Sequence, residues 1–274
     1  MLAVKLVDES SKPVGSARAA VDVRRANQCK TAPLDDHIAM EVPVAMVYNG
    51  ISHAVMMATP ADLKDFALGF SLSEGILTDT AQLFNCDVKN VEHGLSIEMR
   101  IANSRLAALK QRRRNLTGRT GCGLCGTESL ESAIRPVRNV TAPIVSDDAV
   151  QRALKMFPQH QALQAQTGAS HGVAWCDLTG SIIKVREDVG RHNALDKLIG
   201  ALLQAHTDLS QGFVLVSSRA SYEMVHKSCA VDIGALVAVS APTSLAIEQA
   251  AAAGQLLIGF AREGRHVIYN NPWE

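Results

Sequence analysis

Apolar and polar residues alternate over 41–48, an Asn49-Gly50 pair follows, and 51–57 is again apolar and β-prone. Asn-Gly between two such runs predicts a hairpin, because tight hairpin turns need positive φ at their central residues. The spacing then changes. Leu63, Phe66, Ala67 and Phe70 recur at i, i+3, i+4 and i+7, which predicts a helix with one buried face. Thr59-Pro60-Ala61-Asp62 reads as its start, with a Thr cap, Pro at the first helical position and an acid in the first turn. Gly75 reads as its end. A second hairpin is predicted over 88–92 and 95–101, turning at His93-Gly94. Hairpin, helix and hairpin make a small α+β domain over 37–103. Residues 1–36 show no sustained period and are expected to form a loosely ordered arm, with one short strand near its start.

An Ala/Leu/Arg stretch, 104–115, bridges to a glycine-rich loop at 118–127. Beyond the loop, Thr127 can cap a short helix through Ile134, which Pro136 stops. Ser146-Asp147-Asp148 opens a helix to about Phe157. Strands and helices then alternate: a hairpin over 172–177 and 181–186 around Thr179-Gly180, and a helix over 192–206. They continue with a strand over 213–217, a helix over 222–233, a strand over 236–239 and a helix over 242–253 closed by Gly254. Last come strands over 256–260 and 265–269. Several of these strands are apolar on both faces, which suits a sheet covered by helices on both sides. The expectation is an α/β chain of two domains, the small one and a larger α/β domain over 104–274 with the loop at its start. No internal repeat is present.

Composition changes this picture little. A length of 274 residues accommodates two domains, and 47% hydrophobic with 20% charged residues suits an ordinary globular protein with an aliphatic core. Twenty-seven cations balance twenty-seven anions, so bulk charge argues for no particular partner. Its distribution says more. From Arg100 to Thr127 there are seven cations (Arg100, Arg105, Lys110, Arg112, Arg113, Arg114 and Arg119) and no Asp or Glu. The N-terminus lacks the pattern of a signal peptide, and no apolar run approaches the roughly 18 residues of a membrane span. A cytoplasmic protein with reduced thiols is expected. There a Cys-x-x-Cys is catalytic or metal-binding more often than structural.

That pair is Cys122 and Cys125, in Gly118-Arg119-Thr120-Gly121-Cys122-Gly123-Leu124-Cys125-Gly126-Thr127. No apolar face runs through it, and four glycines make its ordering costly, so chemistry is the natural reason to keep it. Structural zinc would need a second ligand pair, and the other cysteines (29, 86, 176 and 229) and the histidines are solitary. Thiol–disulfide exchange of the thioredoxin kind would place the pair after a strand and ahead of a long helix. Sulfur transfer through a persulfide needs a thiolate on an accessible site. A cation about 8 Å from the sulfur, at an effective dielectric of about 20, is worth about 2 kcal/mol and lowers a thiol pKa by one to two units. Arg119 and some of Arg112–Arg114 can supply it, with loop N–H groups. An inert surface loop is the bland alternative.

Three other stretches carry charge at places where ligands bind. Arg186 to Lys197 packs charged and imidazole groups into a turn opening a helix; His192 and Asp196 share a face, so the Asp could orient the imidazole, against a plain solvated helix start. Ser217 to Glu223 lies where a strand gives way to a helix, a usual place for an anionic ligand. Phe260-Ala261-Arg262-Glu263-Gly264-Arg265 sets two arginines around a glycine turn, which can grip phosphates or be a plain hairpin. Cys176, Cys229, Met224 and Val225 read as core, and Cys29 and Cys86 have no visible partner.

Together these stretches resemble the formate dehydrogenase accessory sulfurtransferase family (FdhD/NarQ type). The matching pieces are Gly121–Gly126, Glu187-Asp-Val-Gly-Arg-His-Asn-Ala-Leu-Asp-Lys197, Arg219 to Lys227, Ser240 to Ile247 and Leu257 to Arg262, in the family's order over residues 37–270. Ser218 stands where the family pattern has Gly. The resemblance implies a sulfur carrier that takes sulfur from a cysteine desulfurase and passes it to the bis-molybdopterin guanine dinucleotide form of the molybdenum cofactor, for formate dehydrogenase. By position, Cys122 is implied as the persulfide cysteine with Cys125 its partner, and Phe260, Ala261, Arg262, Glu263, Gly264 and Arg265 as the cofactor-binding segment. It also implies a homodimer, no permanent cofactor or metal, no nucleic acid or membrane, and a larger three-layer domain similar in fold to cytidine deaminases. Arg262, Arg265, Arg219 and Arg191 are plausible phosphate anchors. Deaminase chemistry itself is set aside, because Asn193-Ala194 follow His192 and no His-x-Glu or Pro-Cys-x-x-Cys is formed. A thiol–disulfide oxidoreductase and a non-catalytic cofactor-binding chaperone remain as alternatives.

Overall fold

Asn49 and Gly50 both take positive φ, 47° and 79°, and this turn joins β3 (Val42–Tyr48) to β4 (Ile51–Ala58) as expected. The computed structural model of the chain describes residues 15–21, 34–117 and 136–274. In the expected arm, β1 (Ser16–Val21) pairs antiparallel with β2 (Leu34–Ala39). Ser16 Oγ and His37 Nδ1 each bond to Gln166, which lays this hairpin against helix α4 (Ala162–Thr167).

The second hairpin is β5 (Leu83–Val91) and β6 (Gly94–Ile101). A parallel pairing of β3 with β6 joins the two hairpins into a four-stranded sheet, β4-β3-β6-β5. Helix α1 (Leu63–Ser73) covers its inner face and ends at Glu74 and Gly75. Its start differs from the expectation: the N-cap is Asp62 in a left-handed conformation, and Thr59 lies outside the helix. Thr59 is used instead as a docking point, as described below. The Arg-rich bridge is helical, α2 (Asn103–Thr117).

Ser146 caps α3 (Asp147–Met156) through the Ala149 N–H, as its sequence implied. The larger sheet has six strands in the order β12-β11-β10-β9-β7-β8: β7 (His171–Asp177), β8 (Ile182–Asp188), β9 (Gly212–Val216), β10 (Ala235–Ala238), β11 (Leu256–Arg262) and β12 (Arg265–Asn270). Every residue of β9 and β10 is buried, the mark of strands covered on both faces. Ala149, Val150, Ala153 and Phe157 pack on one face with Phe213, Leu215 and Val237. The other face carries α5 (Arg191–Gln204), α6 (Tyr222–Ala230) and α7 (Ser244–Ala253). The chain is thus α/β, with helices on both sides of a mixed sheet, and α1 lies between α5 and the four-stranded sheet within one continuous apolar cluster. Met224, Val225, Cys176 and Cys229 are core, as expected. Among the described residues no helix is long and apolar enough to cross a membrane.

Candidate functional site

Strands β8, β9, β10 and β11 run in one direction, with β7 reversed between β8 and β9. Helices α5, α6 and α7 follow β8, β9 and β10, so all three begin at one edge of the sheet. That edge is continuous. Gly172 N donates to Ser217 Oγ (3.0 Å), Ser217 N to Gly172 O (3.0 Å), Ser240 N to Ser218 O (3.4 Å) and Phe260 N to Ser240 O (3.1 Å). Thr243 caps α7 with its side chain, whereas α5 begins at Gly190 and α6 at Ser221 without a side-chain cap. Two helix N-termini therefore keep N–H groups and partial positive charge at the edge, which favours anions.

The side chains there are chemically active types. His192 Nε2 stands 2.9 Å from Glu223 Oε2, off the line of an ideal N–H···O bond. The imidazole holds the Glu223 carboxyl below its ordinary range. Burial first, then the charges of Arg191 and His192, push His171 down, so it is readily neutral. Arg191 Nε is buried with no partner among the described residues. Arg219 is exposed in the segment between β9 and α6. Ser218, in place of the expected Gly, is buried and not among the positive-φ residues, so its side chain introduces no backbone strain.

The pairing of His192 with Asp196 is corrected. Asp196 lies one turn deeper, fully buried, accepting from Ser73 Oγ (2.6 Å) and from Lys227 Nζ (2.9 Å). Lys227 also reaches Glu74 (2.8 Å). Burial alone would lower this ammonium's pKa, but the two carboxylates outweigh it and the net shift is upward. Helices α5 and α6 are thus joined by two rungs, His192–Glu223 at the edge and Asp196–Lys227 beneath.

Most of the charged 186–197 stretch is structural. Asp188 and Lys197, both fully buried, pair at 2.6 Å. Asp188 also accepts from Thr59 N (3.0 Å), Gly190 N (2.8 Å) and Asn193 Nδ2 (3.0 Å), while Lys197 Nζ donates to Thr59 O (2.9 Å). Asn193 Nδ2 donates further to Met57 O (2.8 Å). Glu187 caps α4 through the N–H groups of Leu163 and Gln164, both at 2.8 Å, and Arg186 clasps Asp65 (2.6 Å). These residues bolt the four-stranded unit to the six-stranded one, and only Arg191 and His192 are left to face the edge. Sequence reasoning missed Lys197 and Lys227 as joint residues; the one available signal was their place among apolar helical positions.

The expected cofactor segment lies at the far end of the same edge. Phe260 has φ of 46° and is 40% exposed; Ala261 is buried, and Arg262, Glu263, Gly264 and Arg265 are exposed on the β11–β12 turn. The register slips between Gly259 and Arg262, a bulge that turns Phe260 outward. Gly264 N already bonds to Gln151 Oε1 (2.8 Å), so the turn's grip on an anion would come from its arginines. Cys122 and Cys125, with the helix expected after Thr127, lie outside the described residues.

A mixed sheet with helices on both faces, and anion-receptive helix ends at the carboxyl edge of its strands, defines an α/β protein of the ligand-at-the-strand-ends kind. A structure described as a formate dehydrogenase accessory protein from Desulfotalea psychrophila has this fold, with a TM-score of 0.70 at 22% identity over 94% of this chain and 98% of that one. The model of the FdhD/NarQ family matches residues 39–274, and the chain belongs to that family. It is 52% identical over 267 residues to the sulfur carrier protein FdhD of Cupriavidus necator, covering 96% of this chain and 91% of that one. It is 50% identical over 269 residues to the sulfur carrier protein FdhD of Xanthomonas euvesicatoria pv. vesicatoria, covering 97% and 95%.

Proposed function

We propose that the chain is a cytoplasmic sulfur carrier serving formate dehydrogenase, with Cys122 as the sulfur-bearing thiolate. The observation that carries this reading is the glycine-flanked Cys-x-x-Cys behind an acid-free, cationic approach, in a chain half identical to proteins named as sulfur carriers. A cysteine desulfurase presents a persulfide; the Cys122 thiolate attacks its outer sulfur, takes it as Cys122–S–SH and releases the donor's thiolate. Attack of the Cys125 thiolate on the inner sulfur of Cys122 then releases HS⁻ and leaves a Cys122–Cys125 disulfide. The acceptor is the bis-molybdopterin guanine dinucleotide molybdenum cofactor, a substrate here. Its phosphates suit the uncapped starts of α5 and α6 and the arginines 191, 219, 262 and 265, with Phe260–Arg265 as the outer wall of the site. The protein works as a homodimer.

The test is direct. Incubated with a cysteine desulfurase and cysteine, the reduced protein should gain one sulfur atom at Cys122 by peptide mass spectrometry; no persulfide on either cysteine refutes the reading. A Cys122→Ala, Cys125→Ala variant should fail to restore formate dehydrogenase activity in a strain lacking the protein. Restoration would instead favour a cofactor-binding chaperone, and turnover of a disulfide substrate would favour an oxidoreductase.

A further inference from the structure

Helix α2 departs from what exposed helices ordinarily do. Its fifteen residues include Arg105, Lys110, Arg112, Arg113 and Arg114 and no acid. Positions 110 and 114 are four apart, a spacing at which like charges disfavour a helix and opposite charges support it. The helix dipole favours cations in the last turns. It accounts neither for Arg100 and Lys110 further up nor for the want of any acid from Arg100 to Thr127.

The helix is also firmly aimed. Arg105 donates from Nε to Ile76 O and from Nη2 to Gly75 O, both at 2.7 Å, and Ala102 N donates to Gln82 O (3.1 Å). Leu109 is buried and Leu106 packs against the core. Ser104, Ala107, Ala108, Lys110 and Gln111 are left exposed. At the foot of the helix is an open cavity of about 600 Å³, lined by Asn49, Phe84, Arg100, Ile101, Ala102 and Asn103. Leu83 pairs with Ile101 and Asn85 with Arg100, so Phe84 is the extra residue of a β-bulge, 56% exposed. Bulges re-aim side chains. The opposite wall is fixed by Asn49, whose side chain bonds Ile101 O (3.1 Å) and Ile101 N (2.7 Å).

We propose that Phe84 and Arg100 around this cavity, with Lys110 along α2, form the docking site for an acidic surface of the protein that hands sulfur over. The partner's identity rests on the sulfur-carrier reading; the surface does not. An exposed aromatic beside an open hollow whose lining includes Arg100, with Lys110 exposed further along α2, is the anchor-and-rim arrangement of protein interfaces. A nucleic-acid backbone calls for a broad basic face, and the molecule as a whole carries no net charge. Cys122 follows the end of α2 by five residues in the sequence, so the helix that carries Lys110 leads into the stretch that holds the thiols.

The experiment uses the full chain and a purified cysteine desulfurase, with binding followed by calorimetry at low and high salt. Phe84→Ser and Lys110→Glu should each weaken binding about tenfold, and Lys110→Glu should flatten its salt dependence. Melting temperatures, and sulfur uptake from inorganic polysulfide, which needs no docking, should stay as in the wild type. Full-strength binding by both variants overturns the proposal. So do parallel loss of polysulfide uptake, no wild-type binding, or tighter binding of a single-stranded RNA 30-mer than of the desulfurase. Wild-type binding through this surface without sulfur uptake from either source would keep the docking site and remove the sulfur-carrier reading. Uptake with binding insensitive to both substitutions would do the reverse.

Discussion

Cys176, Cys229 and Cys86 show how burial separates thiols of one chemical type. Burial pushes Cys229 up to about 12 and Cys86 up to about 11, and Cys176 higher still. A thiol whose pKa is raised on folding from its ordinary 9.0 supports the fold fully below that value. The support is lost as pH climbs toward the folded-state value, because only the unfolded chain then gains by ionising. Stability should therefore fall from about pH 9 upward, measurably in denaturant titrations. Labelling the native protein with iodoacetamide at pH 8 should spare Cys176 and Cys229, and fast modification of either would contradict their burial. At this scale the sequence was legible for small apolar roles and illegible for charged ones. Lys197 and Lys227 look like any helix lysines until the fold surrounds them with Asp188, Asp196 and Glu74.

Elements were legible where a local rule dictates them: the Asn49-Gly50 turn, the Ser146 cap, the Gly254 stop. The start of α1 was not. Thr59 has the look of a cap, yet its backbone and hydroxyl bond to Lys197, Asp188 and Val189, because tertiary partners compete with a local cap worth only about 1 kcal/mol. How α1 meets α5 was equally hidden. A Cβ on Gly69 would fall 1.7 Å from Asp196 O, and one on Gly200 would fall 1.9 Å from Asp65 O. The two helices cross backbone to backbone through reciprocal glycines. Gly200→Ala must push them apart, and a loss of at least about 2 kcal/mol is expected by thermal or urea unfolding. A neutral result would mean the crossing is looser than these distances.

For the whole molecule, the joint between the two sheets is made of one apolar cluster and two buried lysine networks. Lys227→Ala would leave Asp196, whose carboxyl burial already pushes above its ordinary range, without its ammonium partner in the interior, and removing one partner of a buried pair typically destabilises by about 3–5 kcal/mol. Because the cluster is continuous, that loss should appear as one cooperative unfolding transition shifted downward. Two separated transitions would show that the sheets fold as independent units.

The sequence by itself determined the alternating elements, the α/β class, the cysteine pair and its cationic approach, since each follows from spacing along the chain. It also placed residues 217–223 and 260–265 at strand ends, because strand-to-helix and strand-to-strand junctions are local. Only the tertiary structure decided which charges act and which merely hold. In one twelve-residue stretch, Glu187, Asp188, Asn193, Asp196 and Lys197 are absorbed by partners up to 138 positions away, leaving Arg191 and His192 at the edge. Charge is written in the chain, but its neutralisation depends on which distant groups the fold brings within hydrogen-bond reach.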